Sequence, residues 1–278
     1  MSLTFRPLTQ HLGAEVLGVD LSREQSREVM AQIAEAWLKY GVLIFRDQHL
    51  SPDDQRRFTS YFGEFQSPRN GPRVGQDTMF IGNVPVDGIP SDIPNGEMQF
   101  HQDGCYTEKP TGRSYLYSIE IPAVGGNTLF SGTARAYASL PADLQKEILA
   151  YDIHFDFDYN VTVRTEGWKV GSEFIHPLVI AHPETNQPLL FCNKLMAKEI
   201  VGLSAEKSTA IIDRLVVELE RPDGIYEHVW RLGDLVVWDN LATVHARTDF
   251  DPNARRLLRR TTTIGTKPRA YRDLVSAT

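Results

Sequence analysis

Arg113-Ser114-Tyr115-Leu116-Tyr117-Ser118-Ile119, a turn at Gly125-Gly126, and then Asn127-Thr128-Leu129-Phe130 read as strand, turn and strand. Working outward, the chain offers more of the same. Ile153 to Tyr159, Leu189 to Cys192 and three closely spaced stretches after 226 have strand character. A turn over Asp249 to Ala254, carrying Pro252 and Asn253, leads into a further strand from Arg255 to Thr263. Helical pieces are predicted near 133 to 150. An amphipathic helix from Ser204 to Glu220 uses Ile211, Ile212, Leu215 and Leu219. Many short strands with a few peripheral helices predict an α+β protein that is mainly β, a jelly-roll-like barrel rather than a doubly wound sheet.

The N-terminal part is scaffold. Residues 5 to 22 read as extended chain with turns at Gly13 and Gly18. A helix follows, with Ser22 as N-cap, Gln25 three residues on, Val29, Ile33 and Trp37 along one face, and Gly41 past its end. Val42-Leu43-Ile44-Phe45 is a buried strand, and the next helix opens with Ser51 and Pro52 and closes at Gly63. Residues 64 to 98 change character: Pro68, Pro72, Pro85, Pro90 and Pro94 break the pattern around one short strand, Met79-Phe80-Ile81. A long irregular stretch leading into a candidate site predicts an active-site lid.

The 278 residues are read as one domain, 1–278, because sheets wrapped into barrels reach this size as a unit. No run approaches the ~20 apolar residues of a membrane span. Met1-Ser2-Leu3-Thr4 carries neither a basic region nor an apolar core, so no secretory signal is expected. Cys105 and Cys192 are too few for a disulfide framework and fit a reducing cytoplasm. A net charge of −7 argues against nucleic acid as the main partner. The expected partners are a small organic anion and O2, with a homo-oligomer as the assembly and no membrane association.

The chemistry starts at Phe100-His101-Gln102-Asp103. A His and a carboxylate two residues apart on an extended stretch point to the same side, where one metal ion accepts both. Such ligation suits ferrous iron, manganese or zinc. A third ligand is available at His245, in Trp238-Asp239-Asn240-Leu241-Ala242-Thr243-Val244-His245. Two His and one carboxylate on one face of an ion leave the other face open, as in the facial triad of non-haem iron oxygenases. The rival His154-Phe155-Asp156 has the same spacing, but its alternation with Ile153, Phe155 and Phe157 marks an ordinary solvated strand face. His176 and His182, each followed by proline, read as structural, and His11, His49 and His228 have no partner at a telling distance.

Arg255, Arg256, Arg259 and Arg260 form a basic knot in an acidic chain. Alternation puts Arg256, Leu258 and Arg260 on one strand face and Arg255, Leu257 and Arg259 on the other. Parity does not say which face points inward. On one face Arg256 and Arg260 would lie about 13 Å apart, far enough to hold two separate anions. The plainer alternative is an exposed edge strand whose arginines discourage aggregation.

Taken in order, these pieces resemble the iron(II)- and 2-oxoglutarate-dependent dioxygenases that include taurine dioxygenase and dichlorophenoxyacetate dioxygenase. The resemblance runs nearly end to end. It covers Gly13 to Leu21, Val42 to Gln48, the HxD at 101 to 103, Gly125-Gly126-Asn127-Thr128, His176-Pro177 with His182-Pro183, Trp238-Asp239-Asn240, and His245 with its trailing arginines. It implies a cupin-like double-stranded β-helix with flanking helices. It also implies His101, Asp103 and His245 as catalytic iron ligands, and Thr128 with Arg256, 11 residues past the distal His, as holders of the far carboxylate of 2-oxoglutarate. Arg260, 15 residues past it, is implied for the anionic group of the substrate.

The activity implied is hydroxylation of a sulfonate, sulfate ester or carboxylate, with release of succinate and CO2. Retention of Asp103 favours hydroxylation over halogenation, because halogenating relatives lack this carboxylate. The alternatives are a non-catalytic, metal-dependent anion-binding protein on the same barrel, and a zinc hydrolase, for which no general base stands out. The chain departs from taurine dioxygenase in having no His between 64 and 98, where Asn70 and Arg73 stand. Phe100 replaces a frequent Trp, Gly104-Cys105-Tyr106 follows the carboxylate, and Met196 is a candidate for the substrate face.

Overall fold

The computed structural model describes residues 3–66, 77–91, 98–158 and 171–276. Two sheets carry the site. The larger has seven strands in the spatial order Thr4–Pro7, Ala14–Leu17, Val42–Phe45, Leu235–Asp239, Thr111–Glu120, Leu257–Ile264 and Met79–Gly82. The smaller has four, in the order Ile225–His228, Thr128–Gly132, Thr243–Arg247 and Met98–His101. Non-consecutive segments lie side by side in both, as the jelly-roll reading requires.

Alternation explains how the larger sheet is covered on both faces. Val42, Ile44, Leu116, Val236, Trp238 and Leu258 point toward the smaller sheet and pack with Phe130 and Trp230. Leu43, Phe45, Tyr115, Tyr117, Leu235 and Val237 point the other way. There they meet Val29, Ile33 and Trp37 of the helix Arg27–Tyr40 and Phe58 of the helix Pro52–Ser60. Under the smaller sheet, the helices Thr133–Ser139, Ala142–Ile148 and Ala205–Leu219 close a third core with Phe155, Leu178 and Phe191.

Several sequence expectations shift. The N-cap of the first helix is Ser26, whose side chain accepts from the Val29 N–H, rather than Ser22. Ser22 is engaged instead with the Asp20 carboxylate through its hydroxyl (2.6 Å) and its N–H (3.0 Å), a local turn that competes with helix initiation. The second helix starts as expected, with a capping box between Ser51 and Asp54 and Pro52 in the first turn. It ends at Ser60, short of Gly63, where the chain tightens through a Phe62 N–H to Thr59 carbonyl bond of 3.1 Å.

Within 64 to 98, Met79–Gly82 pairs with Leu257–Arg260 and Phe65 bridges to Thr263. Residues 67–76 and 92–97, a large part of the expected lid that includes Asn70 and Arg73, lie outside the described residues, as does Tyr159. The basic strand Leu257–Ile264 has neighbours on both sides, Thr111–Glu120 and Met79–Gly82, so it is not the edge strand of the plainer alternative.

Candidate metal centre and anion cavity

Strand register builds the centre. Thr243–Arg247 runs antiparallel to Met98–His101 with His245 directly opposite His101, so both imidazoles emerge on one face, with ring centroids 4.2 Å apart. Asp103 follows two residues later. His101 Nε2 is 3.7 Å from Asp103 Oδ1, and His245 Nε2 is 3.6 Å from Asp103 Oδ2. One donor atom from each of the three residues falls within a common 4.8 Å. These separations exceed a hydrogen bond and suit donors that share an ion.

The protonation states agree with that use. His101 Nδ1 lies 2.8 Å from the Gln99 carbonyl; donating there leaves the Nε2 lone pair facing the cluster. Burial lowers the His101 pKa against the pull of Asp103. Burial, and then the neighbouring His101, put His245 well below the ordinary imidazole range. Burial alone would raise Asp103, but Arg260 and the two imidazoles outweigh it and hold the carboxyl at about 2. Two neutral imidazoles and one carboxylate are the forms a hard or borderline cation binds.

Asn240 ties the two ligand-bearing segments together. Its Oδ1 accepts from the Asp103 N–H at 2.8 Å, and its Nδ2 donates to the carbonyls of Asp103 and Thr111, both at 2.9 Å. Its neighbour Asp239 builds the turn toward His245 by accepting from the N–H groups of Leu241 and Ala242 at 2.9 Å and from His182 Nε2 at 3.0 Å. The sequence had marked Trp238-Asp239-Asn240 without a role for the amide. Asn240→Ala would leave the Asp103 N–H and the buried Thr111 carbonyl without this partner at about 1–3 kcal/mol each, and leave the Asp103 carbonyl with only the Thr111 N–H at 3.2 Å. The expected result is a loss of several kcal/mol in denaturant unfolding together with weakened metal binding; a variant as stable as wild type would contradict it.

His182, His176 and His154 make contacts outside the metal cluster. His182 supports Asp239, His176 Nε2 lies 2.8 Å from the Thr107 carbonyl, and His154 lies between Glu173 (3.1 Å) and Glu199 (3.7 Å) at the surface. His228 is a correction. It is fully buried and 3.1 Å from Asp234, a partner that sequence distance did not reveal because a turn separates them. Met196 is another: it is buried against Cys105 in the core under the smaller sheet and does not reach the cavity.

The metal cluster opens onto a cavity with about 490 Å³ of empty space, lined also by Thr128, Arg247, Arg256 and Arg260 beside Ile81 and Leu116. Leu258 packs inward, so its parity partners Arg256 and Arg260 face the cavity. Arg259 points the opposite way, onto Gln55 Oε1 (2.7 Å) and the carbonyls of Leu50 and Ser51. Arg255 pairs with Glu120 at the surface. Arg256 Nε and Nη2 both donate to the Gly126 carbonyl at 3.2 and 3.0 Å, and among the described residues its buried Nη1 has no hydrogen-bond partner. Burial, and then Arg247, depress Arg256 to about 9. Arg260 contacts Asp103 Oδ2 and Ser114 Oγ through Nη2, while among the described residues its buried Nε has no hydrogen-bond partner. Unpaired cationic donors buried in a cavity are what an anion satisfies.

The chain matches the family model described as "Taurine catabolism dioxygenase TauD, TfdA family" over residues 4–262. It is 30% identical to pentalenolactone F synthase of Streptomyces avermitilis, covering 92% of each chain. It is 31% identical to an alkylsulfatase of Acinetobacter baylyi, over 95% of this chain and 85% of that one. The crystal structure of a taurine dioxygenase from Burkholderia xenovorans superposes with a TM-score of 0.85 at 29% identity, over 96% of this chain and 91% of that one. The barrel, the His-Asp-His cluster and the arginine-lined cavity are thus those of a chain that belongs to the TauD/TfdA family of dioxygenases.

Proposed function

We propose that this protein is an iron(II)- and 2-oxoglutarate-dependent dioxygenase, acting as one domain, that hydroxylates a small organic anion. The observation that carries the reading is the meeting, in one cavity, of a three-donor metal cluster with two arginines whose buried Nη1 and Nε lack partners among the described residues. The donor set fits iron(II), two neutral imidazoles and an ionised carboxylate, with His101, Asp103 and His245 as the ligands. Arg256 Nη1 and Thr128 Oγ fit the far carboxylate of 2-oxoglutarate, and Arg260 fits the substrate anion. The relatives named for taurine and for alkyl sulfate cleavage suit that substrate class.

When bound, the iron with O2 supplies the oxidation: R–H, 2-oxoglutarate and O2 become R–OH, succinate and CO2. The chain's own part is binding and aim. His101 and His245 present lone pairs because burial keeps them neutral, and Asn240 holds the Asp103 backbone in place. Arg256, just before the strand Leu257–Ile264, and Arg260 within it both line the cavity and would each direct one anion toward the cluster. Ile81, Leu116 and Trp238 line the same space with apolar surface that limits water around it.

Anaerobic addition of iron(II) and then 2-oxoglutarate is expected to give the weak visible charge-transfer band of a chelated keto-acid, and Asp103→Ala to alter or abolish it. Iron binding without the band would put the non-catalytic anion binder first. Arg260→Ala is expected to raise KM for the primary substrate by about 10-fold or more, the loss of one charge-assisted bond, with 2-oxoglutarate binding largely kept. An unchanged substrate KM would remove Arg260 from that role.

Gly126 provides an independent check. It sits at φ +66°, and a Cβ there would come 2.9 Å from Arg256 Nε. Gly126→Ala therefore strains the backbone and pushes the guanidinium off its carbonyl anchor. Weakened 2-oxoglutarate binding with metal affinity retained is expected in calorimetry.

The finer reading takes the protein as a cytoplasmic homo-oligomer. Two buried, unpaired cysteines, Cys105 and Cys192, and the exposed Val229 and Leu232 beside one turn support it. Light scattering tests the assembly. No described helix is long and apolar enough to cross a membrane.

A further inference from the structure

We propose that Trp230 is a positioning residue that turns the Thr128 hydroxyl into a hydrogen-bond donor for the far carboxylate of 2-oxoglutarate. The proposal rests on the reading of Thr128 given above and names what makes that residue competent. Thr128 is paired across the smaller sheet with His228 on one side and Arg247 on the other, and it lines the cavity with Arg256. Two residues past His228, the Trp230 indole Nε1–H donates to Thr128 Oγ at 3.1 Å.

The chemistry of the two groups decides the direction. An indole nitrogen only donates, whereas a hydroxyl has one proton and two lone pairs. With a lone pair engaged by the indole, the Thr128 proton must swing away from it. Among the described residues no acceptor takes that proton. A carboxylate, an acceptor only, is the ligand that an outward-turned proton fits, and the partnerless Nη1 of Arg256 lines the same cavity. Without the indole the rotor is free, and the orientations that present lone pairs to the carboxylate cost binding.

Trp230 is itself held from behind. It meets the His228 ring edge-to-face, with centroids 4.5 Å apart and planes at 85°. His228 is fixed between the Tyr226 hydroxyl and the Asp234 carboxylate, both at 3.1 Å. Asp234 in turn contacts Arg46 and accepts from the Arg231 N–H at 2.7 Å. This buried cluster anchors the loop 229–234 from which the indole reaches Thr128. It lies outside the set of ligand-binding residues, yet the orientation of one of them depends on it.

The test uses Mn(II)-loaded protein and calorimetric titration of 2-oxoglutarate, so that binding is read without turnover. Trp230→Phe keeps an aromatic ring at this position and removes the N–H together with the second ring of the indole. It is expected to weaken 2-oxoglutarate by about 3- to 10-fold, the scale of one hydrogen bond, with Mn(II) affinity close to wild type and a lower melting temperature from the smaller ring in the core. Thr128→Val is expected to weaken binding at least as much. In the Thr128→Val background, Trp230→Phe should add less than about twofold, because its effect passes through the hydroxyl.

Equal losses from Trp230→Phe in both backgrounds would mean a general structural role and overturn the proposal. If Thr128→Val weakens binding while Trp230→Phe does not, this proposal falls and the reading of Thr128 stands. If Thr128→Val has no effect, the reading of Thr128 falls and takes this proposal with it.

Discussion

His245→Ala is expected to abolish iron-dependent succinate release and to weaken iron(II) or Mn(II) binding by at least about 100-fold, since loss of even an outer partner of a metal ligand costs 10- to 100-fold. Folding should survive. Among the described residues the buried His245 Nδ1 has no hydrogen-bond partner, and its Nε2 faces the cluster, so the imidazole contributes little to the hydrogen-bonding of the scaffold. Its neighbours Val244 and Ala246 supply the packing of that strand. The measurement is a metal titration beside a thermal melt of the metal-free protein. Loss of metal affinity with a nearly unchanged melt is the signature of a ligand, whereas retained turnover would remove His245 from the centre.

Arg256→Ala is expected to weaken 2-oxoglutarate by about 10- to 150-fold, the range of one charge-assisted hydrogen bond, while leaving metal affinity in place. Arg256→Lys should be nearly as harmful. The guanidinium performs two tasks at once, gripping the Gly126 carbonyl through Nε and Nη2 and presenting Nη1, and a single ammonium cannot do both. Stability should move the other way. Burial, and then Arg247, lower the Arg256 pKa from the ordinary guanidinium range to about 9, so the charged form is disfavoured in the folded state. For a cation with a lowered pKa, that penalty is complete below about 9 and fades only as pH rises from there toward the ordinary guanidinium range. At neutral pH, an apolar replacement such as Arg256→Met is therefore expected to raise the unfolding midpoint of the metal-free protein. A midpoint that falls together with unchanged 2-oxoglutarate binding would contradict both halves of this account.

The strands were legible because alternation is local. Val42 to Phe45, Met79 to Ile81 and the strand after Asp249 stand close to where the residue pattern puts them. Ser51 was legible as a cap because Pro52 and Asp54 reinforce it within one turn. Ser22 misled for the matching reason: Asp20, two residues away, offered its hydroxyl a competing bond, and the helix waited for Ser26. The basic strand was half legible. Its two faces follow from parity, but Arg256 and Arg260 point inward because Leu258 packs with Leu116 and Trp238 across the sheet, a fact about neighbours. The same holds for His228 and for Asn240, whose partners are set by where the chain returns.

By itself, the sequence determined the residue types and their order: HxD, a distal His, arginines 11 and 15 residues beyond it, and the alternation that makes barrel strands. Tertiary structure alone decided that His245 stands opposite His101, that one amide spans 137 residues to hold the Asp103 backbone, and that an indole orients Thr128. The physical reason is range. Propensity, capping and parity act over a few residues, whereas strand register and the direction of a buried donor are set by packing between segments that meet only when the barrel closes.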